Sequence, residues 1–219
     1  PDKIACNGQV TYNYMRESGW GEESLDVVEA INYDYLKQHL DQPPSLKEDM
    51  VLVVFSISPE ESCALLNFIY EAFKGDKKYT IYIKSHPVIE IRRVFELTGL
   101  DPSDIPAQFT QEPIPDLLPR AKVVIAGESG VSLQALAFGC HVINIDMPEW
   151  INMSPLKGFQ IPTVSSVSSI EELKSTIAKI LKNKEVEPNF ETNRKVVEEF
   201  FCLNKSSNMP DKLLNVLGV

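Results

Sequence analysis

The hydrophobic positions of this chain alternate between short, wholly apolar runs and longer amphipathic stretches. The run from Met50 to Ser56 is continuous and rich in valine, which is typical of a parallel strand covered on both faces. Ser58 and Pro59 then open a stretch whose apolar positions recur at helical spacing as far as Phe73. The pattern therefore predicts a strand followed by a helix over residues 59–73.

The same alternation continues as far as residue 145. Further strands are predicted over residues 79–84, 107–110, 122–126 and 141–145. Helices are predicted between them over residues 89–98, 114–120 and 129–138. Strands and helices in this order pair in parallel through right-handed crossovers. The sequence therefore predicts an α/β fold, a Rossmann-like doubly wound parallel sheet with extra helices at the C-terminus.

Changes in this pattern predict three segments. Residues 1–44 hold a small β-α-β piece and end in Asp41-Gln42-Pro43-Pro44, which is typical of a surface linker and is taken as the end of an N-terminal half. Residues 45–166 hold the predicted nucleotide-binding sheet and finish in a loop rich in Pro, Ser and Gly. Residues 167–219 hold helices that are expected to pack on the sheet domain.

Charge and composition narrow the classes of partner. The 31 acidic residues outnumber the 21 basic ones, and no stripe of Lys or Arg stands out, so nucleic acid is not an expected partner. The four cysteines lie far apart without CxxC spacing, which favours reduced thiols in a soluble, cytoplasmic protein. No apolar run approaches the roughly 20 residues of a transmembrane helix, and no signal peptide is visible. The start at Pro1 leads us to expect a missing upstream domain.

Candidate site residues follow the predicted strands, because open parallel sheets bind ligands at the carboxyl ends of their strands. Ser56 and Ser58 follow the first strand and offer hydroxyls, although an ordinary serine N-cap explains them as well. Lys84 and His86 follow the next strand and point to the same side of an extended chain, which Pro87 favours at His86. The alternative is a turn with an exposed lysine and a neutral, backbone-bonded histidine.

The third corner follows the strand at residues 122–126 and reads GESGVS. Its glycines permit a tight turn and close approach of a ligand, and helix-start amides can bind an anion. The alternative is a serine-capped helix with glycine for packing. Glu128 would repel a phosphate, so it is expected to hold ribose or sugar hydroxyls, or else to be structural. The candidate anion ligands are Ser129, Gly130, Val131 and Ser132.

No metal site or cofactor is expected from the sequence. The three histidines, His39, His86 and His141, are not at ligand spacing to one another. The GESG corner is neither a Walker loop nor a GxGxxG dinucleotide fingerprint. The catalytic residues stay unassigned.

The KSHP corner, together with PDLLPRAKVVIAGESGVSLQALAFGCHVINI, resembles the C-terminal, donor-binding domain of GT-B-type glycosyltransferases. Proteins of bacterial surface-carbohydrate, O-antigen and lipopolysaccharide biosynthesis are the nearest resemblance, over roughly residues 25–150. It implies that Lys84 and His86 face the donor phosphates, and that residues 129–132 cradle them. Glu128 falls where some members contact the donor sugar or ribose. Gln134 stands where many relatives carry Glu, so a ribose-binding carboxylate at that position is in doubt.

The resemblance implies a nucleotide-sugar donor as the ligand. In this family the acceptor, and usually the general base, belong to the N-terminal half, so we expect this chain to bind the donor and to transfer little by itself. Its share of catalysis would be to stabilise the leaving phosphate as the glycosidic bond breaks. The full protein could still associate peripherally with a membrane. Two alternatives stay open: a fragment of a non-hydrolysing nucleotide-sugar 2-epimerase, and a noncatalytic interaction module with a nucleotide-binding-like fold.

Overall fold

The computed structural model describes residues 2–41, 46–76, 78–127, 129–147, 154–182, 190–203 and 211–218. The chain divides into two compact units. One unit holds residues 44–189, and the other combines residues 1–43 with residues 190–219. The predicted segments, 1–44, 45–166 and 167–219, group the C-terminal helices differently, because only the first of those helices belongs to the sheet unit.

The helices and strands are numbered here in chain order. The strands are β1 (Ile4–Cys6), β2 (Leu25–Val27), β3 (Glu48–Val54), β4 (Thr80–Lys84), β5 (Gln108–Thr110), β6 (Ala121–Ala126), β7 (His141–Ile145) and β8 (Val164–Val167). The α-helices are α1 (Gln9–Glu17), α2 (Lys37–Leu40), α3 (Pro59–Phe73), α4 (Ile91–Thr98), α5 (Ile114–Leu117), α6 (Val131–Ala137), α7 (Ile170–Lys182), α8 (Phe190–Phe200) and α9 (Asp211–Leu217). Short 3-10 turns cover Glu22–Ser24, Ile31–Leu36 and Pro102–Asp104.

The larger unit is built on a six-stranded sheet with the order β5-β4-β3-β6-β7-β8, in which every neighbouring pair is parallel. The chain enters at β3, builds outward through β4 and β5, and then returns to the other side of β3 to add β6, β7 and β8. The direction of winding reverses between β3 and β6, which makes that pair the topological switch point of the sheet. The predicted Rossmann-like doubly wound fold is confirmed.

The sheet packs different helices on its two faces. Alternate strand residues such as Val53, Ile83 and Ile125 form one buried cluster with α3, α4 and α7. The residues that follow them, Lys84 among them, point to the opposite face because side chains alternate along a strand. The crossovers from β5 to β6 and from β6 to β7 run across the sheet in the direction opposite to the crossover from β3 to β4. Because all of these crossovers are right-handed, they place α5 and α6 on that second face.

Local sequence fixes the ends of the helices. The predicted bounds of α3 match the structure: the Oγ of Ser58 accepts the amide of Glu61 as N-cap, and Pro59 occupies the first turn. Gly99 ends α4 with a φ of 70°, a left-handed conformation that glycine adopts without steric cost. Strand β7 also keeps its predicted bounds.

Strand β8 was missed by the sequence reading, which placed residues up to 166 in a loop. It pairs in parallel with β7 at the edge of the sheet and carries Ser165 and Ser166 between two valines. An edge strand buries little of its surface, so its sequence lacks the apolar run that marks the inner strands.

The smaller unit has its own arrangement of elements. Strands β1 and β2 pair in parallel, and α1 contacts β2 and α8. Tyr33 and Phe201 stack with ring centroids 4.0 Å apart. The carboxylate of Glu29 accepts the backbone amides of Lys212 and Leu213 at 3.0 and 2.9 Å, which attaches the start of α9. Within the described ranges, no helix has the length and apolar character needed to cross a membrane.

Candidate functional site

The sequence-predicted site residues follow three adjacent strands at the switch point. Val54 ends β3 and pairs with Lys84 of β4 on one side and with Ala126 of β6 on the other. The chain then leaves β3 through Ser56, β4 through His86 and β6 through Ser129. The carboxyl ends of adjacent parallel strands share one edge of the sheet, so these three corners are neighbours.

Lys84 is the most unusual of these residues. It is only 9% exposed, although lysine is almost never buried unless it is paired. Within the described part of the chain, its ammonium group has neither a hydrogen-bond partner nor an ion-pair partner. Among the described residues, its Nζ is not one of the buried atoms that lack a hydrogen-bond partner, so the stem is buried while the ammonium reaches the surface. An ammonium without a counter-charge at this edge suits an anionic ligand.

His86 lies in a turn closed by a 2.9 Å hydrogen bond from the amide of Ile89 to its carbonyl. The amide of Val88 donates to Nδ1 of the imidazole at 3.3 Å, and the side chain stays half-buried. A neutral imidazole that accepts at Nδ1 carries its proton on Nε2. His86 is therefore both backbone-bonded and able to donate from Nε2 to a ligand.

Ser56 and Ser58 are engaged in capping α3. The Oγ of Ser56 accepts the amide of Ser58 at 2.9 Å, and its side chain is buried. The Oγ of Ser58 accepts the amide of Glu61 at 3.1 Å and donates to Glu60 at 3.0 Å. Both hydroxyls have partners in this structure, which is the arrangement expected of ordinary N-terminal caps.

The GESG corner turns into α6 with ordinary backbone angles. Gly130 has φ −59° and ψ −9°, and a β-carbon there would meet no described atom within 4 Å. The Oγ of Ser129 accepts the amide of Val131 at 3.2 Å. Ser132 is fully buried, and its Oγ donates to the carbonyl of Ser129 at 2.9 Å. Glu128 lies outside the described residues.

Of the predicted anion ligands at this corner, the Ser132 hydroxyl is therefore turned inward and the Val131 amide is locally bonded. Gly130 is exposed and Ser129 is half-buried, so these two residues remain accessible. The structure brings Ser129, Gly130, Lys84 and His86 to one edge of the sheet, while Ser56, Ser58 and Ser132 serve the local backbone.

Glu61 is a further residue of this region, and the sequence analysis did not single it out. It is 8% exposed, and its carboxylate lies against the α-carbon of Gly127, where a β-carbon would overlap Oε1. Gly127 thus permits close approach of α3 to the loop after β6. The only sequence signal was the position of Glu61 in the first turn of a helix that follows the switch-point strand.

Two other buried polar residues lie level with Lys84. Thr110, its partner on β5, is 9% exposed and bonds Glu112 through its hydroxyl. Asn144 of β7 follows Ile143, which pairs with Ile125, so Asn144 lies level with Ala126. Asn144 is 5% exposed. An asparagine inside the apolar run HVINI was the available sequence signal, because buried strands rarely include an amide.

No group of three or more His, Cys, Asp and Glu side chains is placed to hold a metal ion in the described ranges. The described polar groups at this edge are instead an ammonium, an imidazole, hydroxyls, backbone amides and carboxylates. This set suits an anion that also carries hydroxyl or carbonyl groups.

Comparisons with known proteins give the fold. No protein-family model matches the chain, and no curated protein sequence matches it. Among solved structures, the UDP-GlcNAc 2-epimerase of Methanocaldococcus jannaschii, in complex with UDP-GlcNAc and UDP, superposes with a TM-score of 0.60 at 14% identity. TarM superposes with a TM-score of 0.59 at 11% identity. A variant of the wall teichoic acid polymerase TagF, soaked with CDPG, gives 0.51 at 15% identity.

The chain has a GT-B-like, Rossmann-type fold. The three alignments cover 90%, 99% and 92% of this chain, in the same order. They cover 60%, 43% and 52% of the other chains. The chain therefore spans about half the length of the structures it matches, and the GT-B-like fold by itself assigns neither substrate nor reaction.

Proposed function

We propose that this chain binds a nucleotide-sugar donor and forms the donor-binding part of a glycosyltransferase of bacterial surface-polysaccharide biosynthesis. The site is the carboxyl edge of β4, β3 and β6. The observation that carries the proposal is Lys84, whose side chain is largely buried and whose ammonium has no partner in the described residues. It stands one strand away from the switch point, where ligands of doubly wound sheets bind.

The phosphate chemistry follows from two side chains of the KSHP corner. The Lys84 ammonium would form a charge-assisted hydrogen bond with a donor phosphate oxygen, and the Nε2 proton of His86 would supply a second donor. Negative charge grows on that phosphate as the bond to the sugar breaks. Donors already fixed in place stabilise this charge without reorganising, which lowers the barrier to transfer.

The GESG corner has a secondary part in this proposal. Ser129 and the exposed Gly130 would contact the ligand from β6, while Ser132 and Val131 hold the turn in shape. The acceptor site and the general base would belong to a second lobe, as the resemblance to GT-B transferases implies. Glu128 retains its proposed role toward sugar or ribose hydroxyls.

A second candidate function is that of a nucleotide-sugar 2-epimerase. The likeness to the archaeal UDP-GlcNAc 2-epimerase, with a TM-score of 0.60, favours it. The two candidates share the ligand class and the phosphate-binding edge. They differ in the chemistry at the sugar, so binding at Lys84 tests what they have in common.

Isothermal titration calorimetry with CMP, CDP, UDP, GDP and their sugar derivatives tests the proposal. We expect at least one of these ligands to bind, and Lys84→Met to weaken it by about 1–3 kcal/mol, or roughly 5- to 150-fold. Lys179→Met is the matched control, because Lys179 is exposed on α7 of the same unit. Absence of binding across the panel would reject the proposal and leave the interaction-module reading.

The unliganded stability of Lys84→Met is a second readout. The Lys84 ammonium has no partner among the described residues, so replacing it with an apolar side chain of similar length removes no polar contact, and the melting temperature should not fall. A lysine with a structural role would give a lower melting temperature instead. A variant that is as stable as the wild type and binds more weakly identifies Lys84 as a residue retained for a ligand.

A further inference from the structure

The smaller unit contains a cavity of about 530 Å³ that is partly open to solvent. Its walls come from α1, β2, α2, α8 and α9 and from residues 201–203, and every lining residue belongs to this unit. The apolar part of the wall consists of Val27, Leu40, Phe201 and Leu203. A volume of several hundred Å³ with a partly apolar wall is typical of a site for a small molecule.

Three charged side chains of the wall form one ion-pair network. Arg194 of α8 lies 3.5 Å from a carboxylate oxygen of Asp41 and 3.0 Å from one of Glu198. Both acids are therefore engaged with this guanidinium. None of the described ion pairs joins them to the two lysines that also line the cavity.

Those two lysines are Lys37 and Lys212. Lys37 begins α2 and is half-buried, and its ammonium makes no hydrogen bond or ion pair with a described residue. The ammonium of Lys212 donates to Sγ of Cys202 at 3.3 Å. Glu29 attracts the Lys212 ammonium through space, but the Glu29 oxygens accept the amides of Lys212 and Leu213. Neither ammonium forms an ion pair with a described carboxylate.

The other described cations of this unit each lie within 4 Å of a carboxylate oxygen. They are Lys3, Arg16, Arg194 and Lys195. Acidic residues outnumber basic ones in this unit, so a shortage of carboxylates does not explain the two lysines without an ion pair. Both of these lysines line the same cavity, which suits an anionic group there.

We infer that this cavity binds a small amphiphilic anion, meaning a carboxylate or a phosphate attached to an apolar chain. The anionic group contacts the ammonium groups of Lys37 and Lys212, and the chain packs against the apolar part of the wall. Burial of the chain favours binding, and the anion supplies a counter-charge to the two lysines. The inference does not rest on the proposed function, because Lys84 belongs to the larger unit.

Isothermal titration calorimetry with four probes tests which part of the ligand is recognised. Octanoate and octyl phosphate carry both an anionic group and an apolar chain, whereas 1-octanol has only the chain and acetate only the anionic group. We expect octanoate or octyl phosphate to bind, and 1-octanol and acetate to bind at least about tenfold more weakly. If 1-octanol binds as tightly as the better-bound anion, or if neither octanoate nor octyl phosphate binds, the inference is wrong.

Lys37→Met and Lys212→Met test the two ammonium groups. Each should weaken the better-bound anion by about three- to tenfold. Lys195→Met is the matched control, because it removes the same charge from an exposed position of α8, where Lys195 pairs with Glu191. If circular dichroism shows that Lys212→Met does not fold, Lys37→Met carries the test, since the Lys37 ammonium has no described contact to lose. Lysine variants that weaken binding no more than the control would overturn the inference.

Cys202 reports whether the anion lies in this cavity. It lines the wall beside Lys212 and is half-buried. The better-bound anion should slow the alkylation of Cys202 by iodoacetamide, while Cys63 on α3 of the larger unit should react at an unchanged rate. Equal protection of both thiols, or protection of neither, would place the bound anion outside the cavity and contradict the inference.

Discussion

Lys84 ends β4 with 9% of its surface exposed, and the described residues offer its ammonium no counter-charge. Its neighbours on the adjacent strands, Val54 and Thr110, supply no negative charge either. Under the proposed function, the phosphate of the ligand would supply the missing counter-charge.

Gly127 and Gly130 form a matched pair for a prediction at the residue scale. A β-carbon at Gly127 would overlap the Glu61 carboxylate, whereas one at Gly130 would meet no described atom within 4 Å. We expect Gly127→Ala to lower the free energy of unfolding by about 1–3 kcal/mol, and Gly130→Ala to leave it nearly unchanged. Thermal and urea unfolding of both variants measure this difference.

The cause of the Gly127 effect can be tested with Glu61→Ala. If the cost arises from overlap with the carboxylate, Gly127→Ala should be less harmful in the Glu61→Ala background than alone. Equal costs in both backgrounds would show that the loop after β6 needs glycine for another reason. Equal stability of the two single glycine variants would contradict the predicted cost and show that the flexible Glu61 side chain moves aside.

The burial of Cys140 leads to a second prediction at the residue scale. Desolvation raises the pKa of this fully buried thiol to about 11, although the nearby Lys47 ammonium acts in the opposite direction. The thiolate is the reactive form, so Cys140 should resist iodoacetamide at pH 8 in the folded chain and react after denaturation. Mass spectrometry of the alkylated peptides measures this, and rapid labelling of folded Cys140 would contradict it.

Two corners of the candidate site could be predicted from the sequence alone. The KSHP and GESG corners were found because they follow apolar runs, and the structure places both at one edge. The contact of Glu61 with Gly127 and the position of Asn144 level with Ala126 were not predicted, because both depend on strand order and register. The inward turn of Ser132 is likewise a matter of geometry, since its hydroxyl bonds the carbonyl of Ser129.

Among the elements, the inner strands and α3 were predictable because burial on both faces and a clear N-cap leave strong local patterns. Strand β8 was missed because an edge strand with two serines lacks such a pattern. The grouping of α8 and α9 with β1 and β2 in one unit could not be predicted from the sequence either. Amphipathic helices show which face is buried but not which surface buries it.

Helix α9 gives a pH-dependent prediction at the element scale. Burial would raise the pKa of Glu29, but the amides of Lys212 and Leu213 outweigh this and hold the pKa below its ordinary value. A lowered pKa means that the carboxylate stabilises the fold above about pH 4.3, the ordinary value for glutamate. This stabilisation is lost as the pH falls through the lowered pKa.

We therefore expect Glu29→Gln to lower stability by about 1–3 kcal/mol at pH 7, and the difference from wild type to shrink toward pH 3. Amide hydrogen exchange over residues 211–217 should become faster in the variant at pH 7. Glu17→Gln, at an exposed position of α1, serves as the control for loss of one charge in the same unit. A stability difference that persists unchanged at pH 3 would contradict the role of the carboxylate.

At the scale of the whole molecule, the net charge of −10 argues against polyanionic partners but not against a single nucleotide. A local cation such as Lys84 acts at contact distance, while the overall field is screened over about 10 Å at ordinary salt. The strand order of the larger unit brings the loops that carry Lys84, His86 and Ser129 to one edge of the sheet. The proposed nucleotide-sugar would bind at this edge.

The central claim is that a phosphate group of the ligand lies on Lys84, and a crystal structure of the chain with its best-bound nucleotide tests it most directly. We expect a phosphate oxygen about 2.7–2.9 Å from Nζ of Lys84, the usual distance of a charge-assisted hydrogen bond. A bound nucleotide whose phosphates lie away from the carboxyl edge of β4, with Lys84 still unpaired, would contradict the account.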